Sequence, residues 1–160
     1  MENDFVQSLA YIGFTARIKR LSDGLMYDAK SIYNQSSLDI EPNWHIIFLL
    51  LKDQQELTVT EIAKQLRFSH PGIIKITNKM KEKGYLKSRA DSSDSRKTLL
   101  SLSKKSLDQF PEFEVEWNAI QEVVEEVVDK DFLKKLSQLE EKLAEGSISE
   151  RFIRKTHGYD

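Results

Sequence analysis

Apolar residues recur at spacings of three and four from Asp4 to Gln35: Phe5, Leu9, Ile12 and Ala16, then Leu21, Leu25, Ala29 and Ile32 on a face that drifts around the axis. This period predicts one long helix. Glu41-Pro42 ends the connection, and Pro42 suits the first turn of a second helix running to about Lys52. That helix carries the densest apolar run, Ile46 to Leu51, so burial on most sides is expected.

The next stretch predicts two short helices. Thr58 and Glu61 have capping-box spacing, and Ile62, Ala63 and Leu66 give the first helix an apolar face. After a short turn, Arg67 to Pro71, either Ser69 or His70 caps the second helix. Pro71 occupies its first turn and Gly84 supplies a left-handed stop. A pair joined so tightly is a helix-turn-helix. Beyond Gly84 the pattern becomes strand-like over Tyr85–Arg89 and Thr98–Leu102, around the polar loop Ala90–Lys97. This is a hairpin, or wing.

From Ser103 the helical period returns through Leu107, Phe110, Trp117, Ile120, Val124 and Val127, with Pro111 expected to kink or split the helix near its start. Asp131 is placed to cap a last helix bearing Leu133, Leu136, Leu139 and Leu143, with Gly146 as a break before Ile148, Phe152 and Ile153. The fold class expected is mainly α with a small β wing (α+β), within one domain over residues 1–160. Residues 42–102 form the winged helix-turn-helix lobe, and 1–40 with 103–160 form a helical lobe.

Composition narrows the function. The chain has 160 residues, 39% hydrophobic and 31% charged, and no cysteine. Disulfides, thiolate zinc sites and catalytic thiols are therefore excluded. The longest apolar run falls far short of the ~20 residues of a membrane helix. The start, Met-Glu-Asn-Asp-Phe, lacks the basic stretch and apolar core of a secretory signal, so a cytoplasmic location is expected. Three scattered histidines, His45, His70 and His157, argue against a metal centre, and no cofactor is expected.

The net charge of −2 conceals an asymmetry. Leu57–Ser106 holds twelve Lys/Arg against four Asp/Glu, a balance of +8, whereas residues 1–56 carry −3 and 107–160 carry −7. A basic centre between acidic flanks points to a polyanion as partner. In the second helix of the pair, Ile73, Ile76, Thr77 and Met80 are spaced to face the core. The opposite face presents Pro71, Gly72, Ile74, Lys75, Asn78, Lys79 and Glu82. Small residues admit a helix to the major groove, where Lys and Asn reach base edges or phosphates. Ile74, β-branched, either meets a thymine methyl or packs under a loop. At the wing tip, Arg96 and Lys97 suit the narrow minor groove, with Asp94 positioned to orient Arg96 or to pair with Arg89.

The stretch Leu57–Ser106 resembles the MarR family of bacterial winged-helix transcription regulators. Leu57-Thr58-Val59-Thr60-Glu61-Ile62-Ala63-Lys64-Gln65-Leu66 is similar to the opening of that family's helix-turn-helix, and Met80-Lys81-Glu82-Lys83-Gly84-Tyr85-Leu86 to the end of its recognition helix. Asp94-Ser95-Arg96, followed by Leu102-Ser103, has the spacing of its wing signature. The chain departs from the family in placing Ile74 where a small hydroxyl residue is usual, Ser95 where a second Arg is common and Ser106 where Gly is common. Ser69-His70-Pro71 and the Trp44 segment resemble a branch in which such a module precedes an acetyltransferase domain. The chain ends before such a domain would fit, so no acyl transfer is expected.

The resemblance implies a homodimer built from the first and last helices, and a near-palindromic double-stranded DNA site. The expected DNA contacts are Ser69, His70, Pro71, Gly72, Ile74, Lys75, Asn78 and Lys79, with Asp94, Arg96 and Lys97 on the wing. It also implies a small aromatic or anionic ligand near Tyr33, Trp44 and His45, three residues that serve equally well as core aromatics. The alternative is a winged-helix module that binds an acidic protein without reading DNA sequence. No nucleophile–base set or glycine-rich phosphate loop is present, so an enzyme is not expected.

Overall fold

The computed structural model describes residues 4–158. The elements are α1 (Phe5–Ser8), α2 (Phe14–Gln35), a 3-10 turn (Pro42–Trp44), α3 (His45–Gln54), β1 (Leu57–Thr58), α4 (Val59–Leu66), α5 (His70–Glu82), β2 (Leu86–Ala90), β3 (Thr98–Leu102), α6 (Lys104–Val127), α7 (Lys130–Glu145) and α8 (Ile148–His157). This is the mainly α fold with a β wing that the pattern predicts. Among the described residues no helix is long and apolar enough to cross a membrane. The chain divides into two compact units at the junction of Phe113 and Glu114.

In the first unit the apolar residues of α3, α4, α5 and the sheet gather into one core. Ile40, Ile47, Phe48, Ile62, Ile73 and Met80 are fully buried. Tyr85 is packed edge-on to Trp44, with ring centroids 5.8 Å apart, and to Phe48 at 5.5 Å. Phe113 closes the cluster at 5.2 Å from Phe48. These large rings at offset geometry give the lobe a stiff interior. The antiparallel sheet has the order β1-β3-β2, with Leu57 opposite Leu100 and Leu86 opposite Leu102.

Several local expectations are corrected. Residues 4–35 are not one helix: α1 ends at Ser8, and a turn with Ala10 at φ 47° precedes α2. A Cβ on Gly13 would stand 2.3 Å from the Val6 carbonyl oxygen, so glycine allows the close crossing that a continuous apolar pattern conceals. Pro111 lies inside α6 without splitting it. The cap of α7 is Asp129, whose side chain accepts from the Phe132 amide at 2.7 Å, and Asp131 falls in the first turn. The helix after Pro42 is buried along one side, for Leu49 is 46% exposed. β1 was hidden in the sequence because two residues are too short to show alternation.

Other expectations hold in detail. Thr58 accepts from the Glu61 amide while Glu61 accepts from the Thr58 amide at 2.7 Å, completing the capping box. Ser69 is the residue that caps α5, accepting from the Gly72 amide at 3.2 Å. Gly84 has φ 76° and ends the helix as a left-handed stop. At Ser106 the hydroxyl is buried and donates to the Tyr85 carbonyl, so serine here ties α6 to the strand entry.

The second unit contains the rest of α6, with α7 and α8. Ser147 and Glu150 form a second capping box at the start of α8. Neither α7 nor α8 buries a single residue, and Phe132, Leu133, Leu136, Leu143, Phe152 and Ile153 are all exposed.

Candidate nucleic-acid interface

Helix α5 separates its residues as its spacing predicts. Ile73, Thr77 and Met80 are buried and Ile76 is half-buried. The Thr77 hydroxyl donates back to the Ile73 carbonyl at 2.8 Å, which satisfies the one polar side chain on the buried face. Ser69, His70, Pro71, Ile74, Lys75, Asn78 and Lys79 are exposed, and Gly72 is half-buried. The outward face therefore combines a small-residue start, an apolar Ile74 and an amide-bearing, cationic middle.

The wing is held by its own side chains. Asp91 accepts from the amide and hydroxyl of Ser93, each at 2.8 Å. The Asp91 amide donates to the Lys97 carbonyl at 3.0 Å, closing the loop. Asp94 takes Arg96 in a two-point grip, Nε to Oδ1 at 2.9 Å and Nη2 to Oδ2 at 3.2 Å. It also accepts from the Arg96 amide at 3.2 Å. Arg96 holds the Asp94 carboxyl below its ordinary value, and Asp94 raises the guanidinium in turn. The Arg96 side chain is still 89% exposed. A guanidinium both aimed and solvated is available to an incoming anion at small ordering cost.

Two features relate the wing and α5 to the first turn of α4. A cleft of about 520 Å³ is lined by Thr58, Thr60 and Glu61 on one side and Arg96, Lys97 and Thr98 on the other. From the α4 side, the Thr60 hydroxyl also lies 3.4 Å from Nε2 of His70, the first residue of α5. Lys97 helps to lower the Glu61 carboxyl, although the Thr58 amide is the larger cause. The wing tip and the start of α5 thus flank the same first turn of α4. Sequence reasoning included neither Thr60 nor Thr98 among the contacts, because nothing in the local pattern marks residues that meet only across the cleft.

Arg89 belongs to the scaffold. It pairs with Glu56, Nε to Oε1 at 2.9 Å, which leaves Asp94 to Arg96 alone. Lys83, at the end of α5, pairs with Asp39, and Lys105 donates to the Lys83 carbonyl at 2.9 Å while lying 4.0 Å over the Tyr85 ring. These contacts anchor the far end of α5.

The aromatic residues near the 3-10 turn are mostly interior. Tyr33 and Trp44 are buried, and half-buried His45 has Nδ1 2.6 Å from the Pro42 carbonyl. Of the three, Trp44 also lines a cleft of about 400 Å³, together with Met26, Glu41, Lys75 and Lys79. Among the described residues, no three His, Cys, Asp or Glu side chains gather as metal ligands would.

Residues 38–97 match the model of the MarR family, a span that holds the helix-turn-helix and the wing as far as Lys97. Over that span the winged helix is similar to the MarR family. No curated protein matches the chain in sequence. Among solved structures, the MarR-type fold of this chain is similar to overoxidized AbfR bound to DNA, at 16% identity and TM-score 0.69, covering 87% of this chain and 96% of that one. It is similar to the S. aureus MepR–DNA complex at 16% identity and TM-score 0.67, covering 82% and 96%. It is also similar to PcaV of Streptomyces coelicolor with its natural ligand, at 17% identity and TM-score 0.67, covering 87% and 95%. Identities this low establish a shared fold.

Proposed function

We propose that the protein is a sequence-specific regulator of transcription that binds double-stranded DNA as a homodimer. One observation carries this reading: the aimed, solvated Arg96 and the exposed face of α5 flank one turn of α4, so a single duplex strand would be gripped from two sides. In this arrangement α5 enters the major groove and Arg96 the adjacent minor groove. AbfR and MepR, each seen on DNA, support the reading. Both family and fold indicate a regulator rather than an enzyme.

The exposed apolar residues of α1, α2, α7 and α8 support the dimer, in which a second copy covers them. Two-fold pairing presents two copies of α5 to a near-palindromic site, with half-sites about 34 Å apart. A small aromatic anion in the cleft beside Trp44 would engage Lys75 and Lys79 and so compete with DNA, which is the simplest route to a ligand-responsive regulator. PcaV, solved with its natural ligand, supports ligand response in this fold.

The deciding experiment is selection from random duplexes, followed by titration of the selected duplex between low and moderate salt. A regulator enriches a two-fold motif, and its affinity falls steeply with salt as phosphate contacts release counterions. An adaptor for acidic proteins enriches no motif.

A further inference from the structure

Helix α5 carries no arginine, although arginine bidentate to guanine is the commonest base-specific contact in the major groove. Its exposed surface offers different chemistry. Ile74 is 39% exposed on a face that is otherwise polar, beside a helix start made of Ser69, His70 and Pro71. Asn78 follows one turn later on the same face, also exposed. Residues four apart stand one above the other on a helix, so the two side chains address neighbouring base pairs. Lys75 and Lys79 lie toward the cleft beside Trp44, displaced around the helix from Ile74. The lysines are thus turned aside from the ridge that Ile74 and Asn78 form, and are free to take phosphates while that ridge meets base edges.

Each side chain has one matching base edge. A branched hydrocarbon side chain that cannot hydrogen-bond gains by covering a methyl group, and thymine C5 carries the only methyl in the major groove. The carboxamide of asparagine matches adenine N6 and N7 with a donor and an acceptor at once. Resting on the DNA-binding reading above, we infer that Ile74 and Asn78 are the specificity residues of α5. They read adjacent A·T pairs in each half-site, Ile74 through a thymine methyl and Asn78 through an adenine.

The test uses the full-length protein and the duplex enriched by random selection. Each thymine is replaced in turn by deoxyuridine, which removes only the methyl group and leaves the protein untouched. At one position per half-site, wild-type affinity is expected to fall on the order of fourfold, the value of one buried methyl. Ile74→Ala is expected to bind the thymine duplex more weakly and to be indifferent to deoxyuridine at that position, while Asn78→Ala loses preference at the neighbouring adenine. Retained sensitivity of Ile74→Ala, or wild-type indifference at every position, overturns the inference, as does a motif with G·C pairs at the α5 contacts. In each of those outcomes a motif is still enriched and the regulator reading survives. Failure to enrich any motif overturns that reading instead.

Discussion

The winged helix and the α7–α8 segment are built from similar proportions of leucine, isoleucine and phenylalanine, yet they use them in opposite ways. In the first, Phe48, Ile62, Ile73, Met80 and Phe113 are fully buried and the rings of four aromatic residues interlock. In the second, Phe132, Leu133, Phe152 and Ile153 are all more than 40% exposed. Helix α2 resembles α7 and α8 in this, since Tyr33 is its single buried residue and Phe14, Ile18, Leu21 and Leu25 form an exposed stripe. An apolar period thus marks a face that wants covering without naming what covers it. The winged helix meets that demand internally. Helices α2, α7 and α8 leave it to the partner copy we propose.

The sharpest way to break this contrast is to truncate both sides. Phe48→Ala should lower unfolding free energy by about 3–5 kcal/mol in urea titration. Phe132→Ala, half exposed in the chain, should leave the unfolding of dilute protein changed by less than about 1 kcal/mol. Leu136→Asp probes the proposed interface directly. A charge buried without a partner there should weaken self-association by about 100-fold or more in sedimentation, and DNA affinity should fall with it. If that variant dimerises as wild type does, α7 is not the interface.

Smaller effects separate aiming from packing within the winged helix. Arg96→Ala should weaken DNA binding and reduce the salt slope by about one per protomer, while the melting temperature stays within a degree or two. Asp94→Asn keeps the arginine but loosens its grip, so its binding defect should be in the same direction and smaller. Thr58→Ala removes the α4 cap and should cost about 1 kcal/mol of stability.

The mildest prediction concerns acid. Glu61 is held below its reference value of 4.5, chiefly by the Thr58 amide, and Glu56 chiefly by Arg89. Carboxyls with lowered values stabilise the fold at neutral pH, and that contribution disappears as pH falls through their folded-state values, below about 4.5. Glu61→Gln should therefore be less stable than wild type at pH 7 and converge with it toward pH 3, as followed by thermal melts. A constant gap across that range would mean that Glu61 acts through geometry alone.

Most of the winged helix was legible beforehand because its signals are local. The Thr58–Glu61 capping box, Pro71, Gly84 and the change of period at Tyr85 each involve residues within a few positions of one another. What escaped notice depends on distant partners. The break before α2 rests on Gly13 crossing Val6, and the two-residue β1 exists because β3 lies beside it. Ser69 or His70 was undecided as a cap until the backbone showed Ser69 accepting from Gly72. Among the site residues, the sequence placed Arg96 and Asp94 together, but the Thr60–His70 contact and the cleft behind it appear only when α4 and the wing are packed.

The amino-acid order alone determined the helix-turn-helix and wing, where the positive charge concentrates and which face of α5 turns outward, because helix periodicity and charge are properties of neighbouring residues. Only the tertiary structure decided which arginine is scaffold and which is aimed, since Arg89 and Arg96 have the same chemistry and differ in having Glu56 or Asp94 within reach. Asp94 is two residues from Arg96 and visible in the chain, whereas Glu56 reaches Arg89 across 33 positions, a pairing that only distance in space selects.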